Sequence, residues 1–296
     1  MDSPERRRFL KLAGSSALLA AGFSTQQGWA ADSTLLPRFG MVTYQWGKDW
    51  DLPTLIRHCE AAEVEGVELR ATHAHGVEPE LSAAAREEVR KRFADSSVVC
   101  VGPGSDERFD SPDPAVLKKS IERTKAFLEL SHDIGATGVK VKPNDFHKEV
   151  PREKTIAQIA AALREVAEFG QNLGQLVRLE VHGQLAPPEV IVQVMEACDH
   201  QNARLCWNCN DPDIESGGGF AANFDLARPW FGDTLHFHDL DGKFRPYPYP
   251  ELFAKLVATK YSGWCLLESS TKREDPVAAL KEQRKIFRNL ISEKKN

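Results

Sequence analysis

The stretch GVKVKPNDFHKEVPREKTIAQIAAALREVAEFGQNLGQLVRLEV, residues 138–181, reads as strand, helix, strand. Its two ends, GVKVK (138–142) and LVRLEV (176–181), are short β-branched or apolar runs. Between them, IAQIAAALREVAEFGQNLG (156–174) repeats its apolar residues at helical spacing and stops on Gly174. Two strands joined by a crossover helix are parallel strands of one sheet. The same unit recurs outward in both directions. FGMVTY (39–44), GVELR (66–70) and SVVCVG (97–102) precede it, and ARLCWN (203–208), TLHFH (234–238) and GWCLLE (263–268) follow. A second helical pattern, PAVLKKSIERTKAFLELSHDIG, closes on Gly135. Eight βα units predict an α/β fold of the (β/α)8 type, a TIM barrel of typically ~250 residues. A doubly wound open sheet is the main competitor. It would open on a Gly-rich phosphate turn, and Tyr44-Gln45-Trp46-Gly47-Lys48 is not one. No Pro/Gly/Ser linker interrupts the rhythm, which predicts one domain. The least regular part, Pro212 to Pro229 with Gly217-Gly218-Gly219, is expected to be an active-site loop after the sixth strand.

The N-terminus carries Arg6-Arg7-Arg8-Phe9-Leu10-Lys11, an apolar run from Leu12 to Phe23, and small residues around Gly28-Trp29-Ala30. That order predicts a twin-arginine signal peptide over residues 1–30, a barrel domain over 31–296, and a periplasmic location. The apolar run is too short for a stable membrane anchor. Cleavage after Ala30 removes Arg6, Arg7, Arg8 and Lys11 together with Asp2 and Glu5, shifting the net charge from −5 to −7. An acidic chain has no general attraction to phosphate backbones, so nucleic acid is not an expected partner, and sugar phosphates are scarce outside the cytoplasm. The 6 cysteines are too few for a disulfide framework. Cys206 and Cys209 end a strand rather than open a helix, and they read as buried small hydrophobes.

In a barrel of this kind the chemistry gathers where the C-terminal strand ends converge. The last four strands end on Glu180, Asn208, His238 and Glu268, spaced about one βα unit apart. Two carboxylates, an amide oxygen and an imidazole form a mixed donor set suited to one divalent ion, Mn²⁺, Mg²⁺, Co²⁺ or Zn²⁺. Within TLHFH, strand alternation points His236 and His238 into the barrel and Phe237 towards the helices. His238 lies nearer the mouth and is expected to be the ligand. His236 sits deeper, where it is expected to hydrogen-bond or to support the ligands.

With these residues in view, the chain resembles the xylose isomerase-like TIM barrels, a superfamily that includes D-tagatose 3-epimerase-like enzymes. The resemblance runs from Pro37 to about Ser292 and rests on VELRATHAH (67–75), LEVHG (179–183), CWNCNDPD (206–213), LHFHDLDG (235–242) and GWCLLE (263–268). It implies one divalent metal held by a Glu, an Asp, a His and a Glu from the fifth to eighth strands. Those positions fall on Glu180, Asn208, His238 and Glu268. The chain departs from the pattern at Asn208, which removes one negative charge. The resemblance further implies that Glu180 and Glu268 serve as acid and base in isomerisation or epimerisation of a small carbohydrate through an enediolate.

Around this centre His75, Lys142, His182, Asp211 and Arg245 are candidate substrate-binding residues, and Tyr44, Trp46, Trp207 and Phe244 are candidates to stack on a sugar ring. Glu68 shares the barrel face of its strand with Arg70. Three other readings remain open: a metal-dependent lyase or hydratase acting on 3-keto-glycosides, a non-catalytic carbohydrate-binding barrel, and an endonuclease IV-like phosphodiesterase. The last is disfavoured by the acidic balance. Assembly into a homo-oligomer is left open.

Overall fold

The computed structural model describes residues 36–292. The twin-arginine segment therefore lies outside the described residues. Strands and helices alternate throughout, in the order β1 (Arg38–Val42), α1 (Leu52–Ala61), β2 (Gly66–Arg70), α2 (Ala83–Ala94), β3 (Val99–Arg108), α3 (Pro114–Asp133), β4 (Gly138–Lys142) and α4 (Arg152–Asn172). There follow β5 (Leu176–Glu180), α5 (Pro188–Cys198), β6 (Ala203–Asn208), α6 (Pro212–Glu215), α7 (Phe220–Ala227), β7 (Phe231–Phe237), α8 (Tyr249–Ala258), β8 (Trp264–Leu267) and α9 (Pro276–Ser292). Every neighbouring pair of strands is parallel, and β1 bonds to both β2 and β8, which closes the ring. The described residues thus form a TIM barrel.

The helices cover the outside because each strand must bury both faces. On α4, Ile159, Leu163 and Val166 face inward, one helical turn apart. Helix starts follow local chemistry: Asp51 accepts from the Thr54 amide at 2.9 Å and Asp113 from the Ala115 amide at 2.8 Å. Between barrel and helices, Phe39, Phe237, Phe253 and Phe287 form a fully buried aromatic cluster, with Phe39 and Phe287 centroids 5.3 Å apart. Among the described residues no helix is long and apolar enough to cross a membrane. All six cysteines are free and buried, as small hydrophobes would be.

Two sequence expectations are corrected. SVVCVG was expected to end at 102, yet β3 continues to Arg108 through the Gly-Pro-Gly turn signal. The register shifts between Val67 and Glu68 opposite Gly102, whose φ is +154°, and a Cβ there would come within 2.0 Å of the Gly138 carbonyl. The glycine allows two strands to approach rather than ending one. The second correction concerns Pro212–Pro229. This segment is mostly helical, with α6 and α7 flanking the three glycines, and Phe220 and Phe224 anchor α7 in the core. It is a packed insertion rather than an open loop.

Candidate active site

Alternation along the strands sends Glu68 and Arg70 (β2), Lys140 and Lys142 (β4), Glu180 (β5), Asn208 (β6) and His236 (β7) to the inner face. Glu268 and His238 stand one residue beyond β8 and β7, at the mouth. Donor atoms of Glu180, His236 and Glu268 lie within 4.8 Å of one another, and all three residues are buried. His236 Nδ1 is 3.6 Å from Glu180 Oε1 and 3.8 Å from Glu268 Oε2, while its Nε2 is 3.3 Å from Glu68 Oε2. Glu180 is ringed by donors: Asn208 Nδ2 donates to Oε1 at 2.9 Å, and the Lys140 ammonium lies 2.9 Å from Oε2. Arg70 approaches Glu268 at 3.8 Å.

Charge balance explains how so many ionisable groups are buried together. Burial alone would raise the Glu180 carboxyl, but Lys140 and His236 outweigh it and hold the group well below the usual carboxylate range. Burial also opposes a charge on His236, yet Cys206, Glu68 and Glu180 around it raise its pKa well above the ordinary histidine value. The carboxylates of Glu68, Glu180 and Glu268 around the ring thus favour its charged form. His238 differs. Burial lowers its pKa, and its Nδ1 pairs with the Glu268 backbone carbonyl at 2.9 Å. A neutral ring whose Nδ1–H donates to a carbonyl presents an Nε2 lone pair, the arrangement typical of a metal-ligating histidine.

Several polar atoms of this donor set have no hydrogen-bond partner. Asn208 Oδ1 and Glu68 Oε1 are buried without hydrogen-bond partners, and Glu180 Oε2 has only the ion pair to Lys140. Such a concentration of acceptors is unusual in a protein interior, and it fits a hard or borderline cation.

The other expected site residues divide into two groups. Lys142 is buried and bonded to Asp106 at 2.6 Å, with its pKa lowered by burial and by Lys140. His182 faces the mouth, its Nδ1 3.0 Å from Asn144 Oδ1, in a segment where Asn144 adopts φ +68°. Both remain available to a ligand. Asp211 and Arg245 instead pair with each other at 3.0 Å, and Arg245 also bonds to the Cys209 carbonyl, tying the loop after β7 to that after β6. Both His75 nitrogens are committed to its own loop: Nε2 to the Arg70 carbonyl at 2.8 Å and Nδ1 to the Val77 amide at 3.0 Å. Burial pushes its pKa down to about 4. His75 is a loop pin with no nitrogen left for a substrate.

Among the aromatics, Trp207 is fully buried against Phe224 and Phe231, on the helix side of β6, and Trp46 donates to the Thr271 carbonyl at 2.7 Å. Phe244 is exposed, 5.0 Å from the His238 ring, and Tyr44 lies under Arg70. The two aspartates of LHFHDLDG bind no ligand site. Asp239 accepts from Ser269, Thr271 and Arg273, and Asp241 from Arg273, clamping the β7 and β8 loops together.

Sequence reasoning missed Lys140, although the alternation in GVKVK that turns Lys142 inward turns Lys140 inward as well. It also passed over Asp213, a buried carboxyl pushed up to about 7 by desolvation, partly offset by Tyr247, whose OH donates to Oδ2 at 2.7 Å. A carboxyl whose folded-state pKa is raised binds its proton more tightly folded than unfolded, so its contribution is present in acid and is lost as pH rises from 3.8 to about 7. Asp213→Asn is expected to flatten this part of the stability profile and to gain stability at pH 8, on the order of 1–4 kcal/mol. Urea unfolding of both proteins at pH 5 and pH 8 checks this, and parallel profiles would contradict it.

Comparison with known proteins agrees with this architecture. Residues 56–290 match the model of the xylose isomerase-like TIM barrel family. The chain is similar in structure to the 3-keto-D-glucoside 4-epimerase of E. coli, with TM-score 0.72 and 14% identity over 86% of this chain and 99% of that one. It is similar to the D-psicose 3-epimerase of Clostridium cellulolyticum H10, with TM-score 0.73 and 16% identity over 86% and 99%. A probable 3-DHS dehydratase of Bacillus anthracis aligns with TM-score 0.65 and 15% identity over 85% and 99%. At these identities the likeness is one of fold. Among proteins of curated function, none matches the sequence. The match over most of the barrel decides the family: the chain belongs to the xylose isomerase-like TIM barrels.

Proposed function

We propose that the chain is a divalent-metal-dependent isomerase or epimerase of a non-phosphorylated carbohydrate, exported to the periplasm by the twin-arginine segment outside the described residues. One observation carries the reading: Glu180 and Glu268 approach each other at the barrel mouth within a buried, charge-balanced set of nitrogen and oxygen donors. Sugar epimerases among the structural neighbours support the substrate class.

Glu180, Asn208 through Oδ1, His238 through Nε2 and Glu268 would hold the ion. Proximity alone would choose His236 over His238, but His236 Nε2 is paired with Glu68, whereas His238 donates Nδ1–H to the Glu268 carbonyl and keeps the Nε2 lone pair for an ion. The bound ion supplies an electrophile that acidifies the carbon beside a carbonyl. Glu180 and Glu268, from strands three apart in the ring, exchange the proton at that carbon, one removing it and the other returning it. Arg70 and Lys142 face the negative charge that develops on oxygen, and His182, oriented by Asn144, accepts from a hydroxyl.

The test is product analysis by NMR after incubating metal-loaded and chelated protein with ketohexoses, aldoses and 3-keto-glycosides. The expected result is an epimer or isomer formed by the loaded protein and lost on chelation. A second reading has one supporting observation, the dehydratase among the neighbours. The same proton removal followed by departure of a hydroxyl would make the chain a lyase, and an unsaturated product identifies that case.

A further inference from the structure

Lys140 and Lys142 enter the barrel from alternate positions of β4, but their surroundings differ. Lys142 reaches the mouth and is answered by Asp106. Lys140 is one layer deeper and 3% exposed, with its ammonium 2.9 Å from Glu180 Oε2 and donating to the Ser105 carbonyl at 3.2 Å. An ammonium so buried requires a carboxylate partner. The partner it uses is one of the carboxylates assigned to the metal, and the other oxygen of that carboxylate is taken by the Asn208 amide. Glu180 is therefore met by a neutral amide N–H on one oxygen and by a lysine ammonium on the other.

We infer that Lys140 is a resident competitor for the metal site, its ammonium and a divalent cation exchanging on Glu180 Oε2. Lys140 thereby sets how tightly the centre is loaded. This rests on the reading of the site as a divalent-metal centre. Two unit charges a few ångströms apart repel strongly in a buried setting, so seating a dication requires Lys140 to withdraw from Glu180. An acceptor set for the withdrawn ammonium is present: the Ser105 carbonyl already binds it, and Glu68, whose charge also acts on Lys140, keeps Oε1 unpartnered. Lys140 is a positioning residue for the metal and acts through Glu180.

The experiment is calorimetric titration of metal-stripped protein with MnCl2, with free Mn²⁺ followed by electron paramagnetic resonance. Lys140→Met, which keeps the length of the side chain without its charge, is expected to bind Mn²⁺ about tenfold more tightly than wild type or better. Lys140→Arg keeps the charge and is expected to show no such gain. Lys140→Met binding Mn²⁺ no more tightly than a wild type that binds it would overturn the inference and leave the metal reading standing. No Mn²⁺ bound by wild type or variant would overturn both. Should Lys140→Met not fold, a crystal structure of wild type soaked in MnCl2 decides. The inference expects the Lys140–Glu180 contact to be broken with Mn²⁺ seated on Glu180, and an intact contact beside the bound ion overturns it.

Discussion

Replacing Glu268 by glutamine is expected to lower kcat by about 10²-fold or more while the protein stays folded. The amide has the shape of the carboxylate and still offers a neutral oxygen, so part of the metal affinity and much of the carbohydrate affinity should survive. What it lacks is the capacity to take a proton near neutral pH and the attraction to Arg70, 3.8 Å away. The fall should therefore appear in kcat far more than in KM, with the metal content of each sample measured alongside. Asn208→Asp works in the opposite direction on the metal: it adds a negative charge to the donor set and should tighten binding without abolishing turnover. A metal-loaded Glu268→Gln with wild-type kcat would remove Glu268 from proton transfer.

The second large effect is on stability and lies at the other end of the barrel. Arg178 is fully buried on the inner face of β5, and its guanidinium is fully engaged. Nε and Nη2 each meet a different oxygen of Asp233 at 2.8 Å, Nη2 also meets Thr137 Oγ1 at 2.7 Å, and Nη1 bonds the carbonyls of Val101 and Gly138. It plugs the floor where glycines at 102 and 138 leave room for a large side chain. Arg178→Met removes the paired donors that balance the Asp233 charge and one donor each from the Val101 and Gly138 carbonyls, which keep Thr137 and Ser131, and it is expected to cost roughly 3–5 kcal/mol, seen as a fall in Tm of roughly 10 °C. Adding Asp233→Leu removes the carboxylate that has lost its guanidinium and should recover part of the loss. The kcat of the protein that remains folded should hardly move, since the plug is below the catalytic layer. A single variant as stable as wild type would contradict this account of the floor.

How much of this could be read from the sequence follows from which physical signals are local. The βα rhythm is local, and it predicted eight parallel strands within a residue or two at most ends. Gly102-Pro103-Gly104 misled because a glycine that permits close strand approach looks the same in sequence as one that turns the chain. The Pro212–Pro229 segment misled for a related reason: three glycines masked an eight-residue helix whose evidence, Phe220 and Phe224 a turn apart, needs a tertiary surface to act on. At the site, alternation placed Glu180, Asn208, His238 and Glu268 at the strand ends correctly as positions. Which groups touch is not a local property. His75 spends its hydrogen bonds on its own loop, Arg245 spends them on the loop after β6, and Lys140 meets Glu180 only because β4 and β5 are adjacent.

In the proposed reaction the carboxylates at the barrel mouth move a proton on carbon beside a carbonyl. The measurement closest to it is the position at which solvent deuterium enters a turned-over carbohydrate, read by NMR in D2O. The account predicts deuterium at the carbon next to the carbonyl with Mn²⁺-loaded wild type, and little or none with chelated protein or with Glu268→Gln. Turnover that leaves that carbon fully protonated, or labelling that persists in Glu268→Gln and after chelation, would contradict it.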